Sequence, residues 1–109
     1  HRGQTIGYVD LFDFDPQQRR AGVGILIGDK TERNKGYATE ALKLLCKYSF
    51  DVLNVHQLYC HIDNDNEVSL HLFEKAGFKK CGLLRDWILF DGRWCDVNML
   101  QLLRPKPVL

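Results

Sequence analysis

The segment Glu32-Arg33-Asn34-Lys35-Gly36-Tyr37-Ala38-Thr39 puts two cations, a glycine and a small residue where an apolar run ends and a helical pattern begins. The first turn of a helix carries unpaired N–H groups and a partial positive charge, so such a junction can hold a diphosphate on main-chain donors. Gly36 lets backbone and ligand come close, Ala38 keeps the helix start uncrowded, and Arg33 and Lys35 add charge. An ordinary strand-to-helix turn has the same look, and this segment alone does not separate the two readings. Two phosphate-binding patterns are excluded. GxxxxGK[ST] is absent, and Gly22-Val23-Gly24 lies inside a strand pattern with no third glycine to complete GxGxxG. A second polar cluster, Asp63-Asn64-Asp65-Asn66, is rich in helix N-cap formers and leads into Leu72-Phe73-Glu74-Lys75-Ala76-Gly77-Phe78.

The elements that must position these segments follow from periodicity. Thr5 to Phe14 alternates apolar and polar residues as a strand does. Asp15-Pro16-Gln17-Gln18 reads as a turn, and Arg20 to Gly28 as a second strand forming a hairpin with the first. The pair Gly22 and Gly24 hints at a bulge or a close approach by other backbone. After a polar loop, Asp29 to Lys35, the spacing predicts a helix from about Gly36 to Leu53. Its apolar face would be Ala38, Ala41, Leu42, Leu45, Tyr48 and Val52. Gln57 to Ile62 is a short buried strand. A helix over about Glu67 to Ala76 turns Val68, Leu72 and Phe73 inward, and Gly77 suits a left-handed C-terminus. Two strands, Phe78 to Phe90 and Arg93 to Leu103, are joined by the hairpin signal Asp91-Gly92. The order β-β-α-β-α-β-β demands a mixed, partly parallel sheet, an α/β fold.

Composition narrows the function classes. The chain has 109 residues, 45% hydrophobic and 27% charged, which suits one domain spanning residues 1–109. A net charge of +1 disfavours a nucleic-acid-coating role. No apolar run is long enough to read as a membrane helix, and no membrane partner is expected. Cys46, Cys60, Cys81 and Cys95 form no CxxC pair, so neither a metal centre nor a disulfide scaffold is expected, and a cytoplasmic setting fits. His56, His61 and His71 lack metal-ligand spacing and read as surface or partly packed residues. Trp87 and Trp94 read as core or dimer-contact residues.

Taken in order, the two polar segments resemble the GNAT superfamily of acetyl-CoA-dependent N-acetyltransferases. The pattern [QR]xxGx[GA] is met by Arg33, Gly36 and Ala38. The pattern NxxSxxLYxKxGF is met by Asn66, Ser69, Leu72, Lys75, Gly77 and Phe78, with a departure at Phe73. The resemblance runs from Gly7 to Leu103. It is nearest to the branch holding spermidine/spermine N-acetyltransferases and ribosomal-protein N-terminal acetyltransferases, through Ile6-Gly7-Tyr8-Val9, Tyr37-Ala38-Thr39-Glu40-Ala41 and Phe50-Asp51-Val52-Leu53-Asn54. That family carries further strands and helices ahead of Gly7, so the resemblance implies a partial domain without its N-terminal elements.

The resemblance implies the following chemistry. The second strand splays from the strand at Leu58–Ile62, and the pantetheine arm of acetyl-CoA hydrogen-bonds the backbone of Ile25, Leu26 and Ile27. The diphosphate sits on the amides of Arg33, Asn34, Lys35, Gly36, Tyr37 and Ala38, with Thr39 next to them. Asn66 and Phe73 flank the arm near the thioester. A strand amide near Leu26–Ile27 stabilises the oxyanion. An alkyl ammonium, with a pKa of about 10.4, must shed a proton before it attacks. Asp10 and Asp13 are the candidate acceptors; the alternative is that both simply face solvent on an edge strand. Phe73 stands where polyamine-acetylating relatives carry a tyrosine acid, and it has no proton to give. Water or another group then protonates the thiolate; Ser69 is one turn away but is expected to pack or cap.

The acceptor implied is a polyamine such as spermidine. The alternatives are a peptide N-terminal amine, a class that Phe73 favours, and a non-catalytic acyl-CoA-binding module. A homodimer or higher homo-oligomer is expected, with the last hairpin as a contact.

Overall fold

The computed structural model describes residues 8–26 and 32–106. Seven elements follow in the expected order: β1 (Tyr8–Asp15), β2 (Arg20–Leu26), α1 (Glu32–Asp51), β3 (Gln57–Asp63), α2 (Glu67–Lys75), β4 (Lys79–Phe90) and β5 (Arg93–Leu103). They build one five-stranded sheet in the order β1-β2-β3-β5-β4. Only β2 and β3 run parallel, joined through α1; the other neighbours are antiparallel. The mixed α/β architecture is thus the one the periodicity demands. The expected first-strand residues Thr5 to Gly7, the strand end at Ile27 and Gly28, and Pro107 lie outside the described residues.

Alternation divides the sheet into two faces. Ala21 and Val23 of β2, Leu58, Cys60 and Ile62 of β3 and Leu100 of β5 are buried under the two helices. Gly22, Tyr59 and His61 point to the opposite face. From α1 the core receives Ala38, Leu42, Cys46 and Phe50, an i, i+4 series, together with Ser49. The Ser49 hydroxyl is satisfied by the Leu45 carbonyl, 2.8 Å away.

Two expected members of this helix face are corrected. Tyr48 is 49% exposed and Val52 is 62% exposed. The buried stripe is centred on Leu42, and at roughly 100° per residue Tyr48 lies about a third of a turn away from it. Val52 follows the last helical residue, Asp51. Val68 of α2 is also exposed, whereas Leu72 and Phe73 are buried as expected.

The helix start is corrected as well. Residues Glu32 to Lys35, read as loop, form the first turn of α1, and Gly36 lies in the second turn. Glu, Arg and Lys are good helix formers, but without apolar residues among them a hydropathy pattern does not register the turn.

The irregularities fall elsewhere than the glycine pair suggested. β2 is regular and the bulge belongs to β1, where Asp13 and Phe14 together face Ala21 and Asp13 takes φ 51°. Gly22 and Gly24 make room for side chains rather than backbone. A Cβ at Gly22 would collide with the Phe12 ring, and one at Gly24 would come within 2.8 Å of Asp10 Oδ1. The closing hairpin is the one expected, with Asp91 at φ 52° and Gly92 at φ 76°, both positive as a type I′ turn requires. Its distal part runs past the end of β3, whose pairing with β5 stops at Asp63↔Val97. Trp87 and Trp94 stand there 57% and 60% exposed, which excludes the core reading for both. No helix among the described residues is long and apolar enough to cross a membrane.

Candidate functional site: a cleft between two parting strands

The sheet opens where β2 and β3 part. Their parallel pairing covers Arg20↔Gln57, Ala21↔Leu58 and Gly22↔Tyr59, and there it ends. Both strands continue. β2 stays paired with β1 as far as Tyr8↔Leu26, and β3 stays paired with β5 as far as Asp63↔Val97. From Val23 to Leu26, β2 therefore turns toward the gap an edge that lacks the strand partner it has at Arg20–Gly22. Such an edge offers N–H and C=O groups to an extended ligand.

A cavity of about 100 Å³ occupies the gap, lined by Val23, Gly24, Ile25, His61, Ile62, Asp63, Asn66, Ser69 and Phe73. Its lining comes from both faces of the sheet, because residues on either side of each parting strand contribute. α2 closes the inner side. Asn66 caps this helix, its Oδ1 accepting from the Ser69 N–H at 3.1 Å. The turn that delivers Asn66 is tied to β5: Asn64 N–H donates to the Asp96 carbonyl at 3.0 Å. The buried Asn98 amide also donates to Asn64 Oδ1 at 2.9 Å. Phe73 is 1% exposed and meets Phe78 edge-on, centroids 5.0 Å apart.

A larger groove, of about 560 Å³, lies between the two helices. Gly36, Ala38, Thr39 and Glu40 of α1 face Glu67, Val68, His71, Leu72 and Lys75 of α2 across it. A Cβ at Gly36 would meet nothing within 4 Å among the described residues, so no packing neighbour among them explains the glycine. Inside a helix, glycine costs about 0.5–1 kcal/mol relative to alanine.

The expected site residues are distributed as follows. Ile25, Asn66 and Phe73 converge on the smaller cavity; Gly36, Ala38 and Thr39 line the larger groove. Tyr37, 66% exposed, is absent from both linings. Because α1 starts at Glu32, the amides from Gly36 onward bond to carbonyls four residues back. The free donors are those of the first turn, which narrows the expected run of Arg33 to Ala38. Ile27 lies outside the described residues, as do the side chains of Leu26, Arg33, Asn34 and Lys35.

Asp10 sits opposite Gly24, at the level of the cleft. Asp13 sits in the β1 bulge opposite Ala21, where β2 is still paired with β3, and so lies away from the opening. Ser69 has its N–H capped while its buried side chain lines the cavity. His61 and Asp63, on the cleft wall, are the residues that spacing alone missed. The available signal was position, two and four residues past Tyr59 on a strand expected to splay. Among the described residues no group of three or more His, Cys, Asp or Glu side chains converges as a metal centre would need.

Comparison with known proteins agrees with this geometry. The family description "Acetyltransferase (GNAT) domain" matches residues 1–79. The chain belongs to the GNAT acetyltransferase family. It is 33% identical over 101 residues to a spermidine N(1)-acetyltransferase of Vibrio cholerae, covering 93% of this chain and 58% of that protein. It is 31% identical to the ribosomal protein uS5-alanine N-acetyltransferase of Escherichia coli, covering 96% and 61%. The crystal structure of spermidine N-acetyltransferase from Vibrio cholerae in complex with CoA and spermine superposes with a TM-score of 0.79 at 32% identity, covering 90% and 57%. The chain thus spans little more than half the length of these relatives.

Proposed function

We propose that the chain is the acetyl-CoA-binding part of an N-acetyltransferase that acts on a primary amine, a polyamine such as spermidine. The observation that carries this reading is the parting of β2 and β3 after Gly22↔Tyr59. The pantetheine arm hydrogen-bonds the edge of β2 at Ile25 and Leu26, as an added strand would, with Ile27 beyond the described strand kept as its expected third contact. The diphosphate rests on the first-turn amides of α1, beside the space that Gly36 leaves open. Asn66 and Phe73 flank the thioester end. The amine attacks the thioester directly, and a strand amide near Leu26–Ile27 holds the oxyanion. Asp10, beside the cleft, is a better placed carboxylate than Asp13. The protein works in the cytoplasm, residues 1–109 act as one partial domain, and the exposed aromatic arm of β4 and β5 is the contact of a homodimer or higher homo-oligomer.

The relatives that act on spermidine support the polyamine as acceptor. A peptide N-terminal amine is the second reading, favoured by Phe73, which cannot protonate a leaving thiolate. A module that binds acyl-CoA without turnover is the third. Calorimetry with coenzyme A, followed by thiol release from acetyl-CoA in the presence of spermidine or of peptides, separates them. Heat with spermidine-dependent thiol supports the first, and heat with peptide-dependent thiol alone supports the second. Heat without thiol supports the third, and no binding of coenzyme A refutes all three.

A further inference from the structure

We propose that His61 is the proton shuttle of the transfer, taking the proton of the attacking amine and returning it to the leaving thiolate. This rests on the acetyl-transfer reading and supplies the donor that Phe73 cannot be. His61 lies on β3 two residues past the last parallel pair, where β2 has already turned away. Its side chain points to the face opposite the helices, as Tyr59 does, with ring centroids 6.0 Å apart and planes tilted by 57°. His61 is exposed, and it is among the residues that line the cavity of about 100 Å³, to which Phe73 and Asn66 of the helix side also contribute. Among the described residues no hydrogen bond or ion pair engages its ring nitrogens; Tyr59 touches it only ring to ring.

The other groups around the cavity are poorer shuttles. Asn66 Oδ1 is committed to the Ser69 N–H, and Asp63 Oδ1 to the Asp65 N–H at 2.9 Å. A serine hydroxyl is far too weak an acid to protonate a thiolate, and a carboxylate is a weak base that takes a proton from an amine poorly, although its acid form would give one to a thiolate readily. An imidazole does both near neutrality, which is its role in nucleophilic triads.

The step balances without a further reactant. The free amine forms the N–C bond, and the C–S pair leaves with sulfur. The nitrogen proton passes to the imidazole and from the imidazolium to the thiolate, so amide, free thiol and neutral His61 remain. Among the described residues the titratable groups near His61 are few. Asp10 lies opposite Gly24 on the neighbouring β2, and Tyr59, Cys60 and Asp63 share its strand, Cys60 on the buried face. Its neighbours on β5, Met99 and Gln101, and those on α2, Asn66, Ser69 and Phe73, carry no charge.

The test uses His61→Gln and His61→Ala with acetyl-CoA and spermidine. His61→Gln is expected to bind coenzyme A by calorimetry as the unaltered chain does, while kcat falls about 10²–10³-fold. In His61→Ala, added imidazole should restore part of the rate, which a structural role would not allow. A kcat within about threefold of the unaltered chain, or no rescue of His61→Ala by imidazole, overturns the shuttle. So does an unaltered chain that binds coenzyme A but turns over no amine. Failure of the unaltered chain to bind coenzyme A refutes the acetyl-transfer reading itself.

Discussion

Gly36→Ala should make the protein more stable and less active. The backbone at Gly36 is helical, with no positive φ, and a new Cβ meets nothing within 4 Å among the described residues. Strain and collision are therefore absent, and the substitution removes only the conformational freedom of the unfolded glycine, a gain of about 0.5–1 kcal/mol. For a chain of this size that corresponds to a rise in Tm of roughly 2–5 °C. The same methyl group projects beside the groove between α1 and α2, next to the first-turn amides proposed to hold the diphosphate. Pushing a phosphate off one main-chain donor forfeits a charged hydrogen bond of about 1.5–3 kcal/mol. That is a loss of roughly 10–100-fold in affinity for coenzyme A. Thermal unfolding without ligand and calorimetry with coenzyme A read the two effects separately. A raised Tm with unchanged affinity would refute the reasoning, because the space at Gly36 would then serve no ligand. A lowered Tm would show that the glycine has a packing role.

Three further outcomes follow from single contacts. Asn66→Ala deletes the cap on the Ser69 N–H and should cost about 1 kcal/mol by denaturant unfolding, with a fall in kcat. A result within 0.3 kcal/mol of the unaltered chain would mean that water replaces the cap, a figure at the floor of such effects. Gly22→Ala forces the half-exposed Phe12 ring off its seat and should destabilise by about 1 kcal/mol. Adding Phe12→Ala should recover part of that loss, and strict additivity would exclude the collision as its cause. Burial pushes the thiols of Cys46 and Cys60 up from 9.0, to about 11 and about 12 respectively. The unfolded chain ionises first, so both thiols stabilise the fold below pH 9, and that contribution is lost as pH rises toward 11–12. Equilibrium unfolding across that range should show stability falling, and Cys46→Ala with Cys60→Ala should flatten the decline.

Element order was legible because local chemistry decides it. Asp91-Gly92 meets the demand of a type I′ turn for two positive φ angles, and Asn66 stands where a cap must stand before a buried helix face. The alternating strands announce themselves for the same reason. Tyr48 misled because helical spacing places a residue on a cylinder but does not say how wide a stripe the sheet will cover. The first turn of α1 was hidden because it has no apolar residue to mark it. The cleft itself was foreseen only through resemblance, since nothing in Gly22-Val23-Gly24 or Tyr59-Cys60-His61 says where two parallel strands will stop pairing. His61 reads as surface and is exposed, but its place beside the cleft was not legible, whereas Ile25, Asn66 and Phe73 could be placed there through the resemblance.

The short seam at Arg20–Gly22 has a mechanical consequence. Besides the core shared under the helices, three registered residue pairs, the hydrogen bonds of Arg19 with Asn54 and His56, and the span of α1 join the β1-β2 ribbon to the β3-β5-β4 ribbon. The sheet is thus two stiff plates sewn together at one end, and the free ends can spread or draw in with little loss of pairing. A chain-like ligand laid between them acts as the missing thread, and those amide protons of Val23 to Leu26 that face the gap rather than β1, quick to exchange when the seam stands open, become slow once it is stitched.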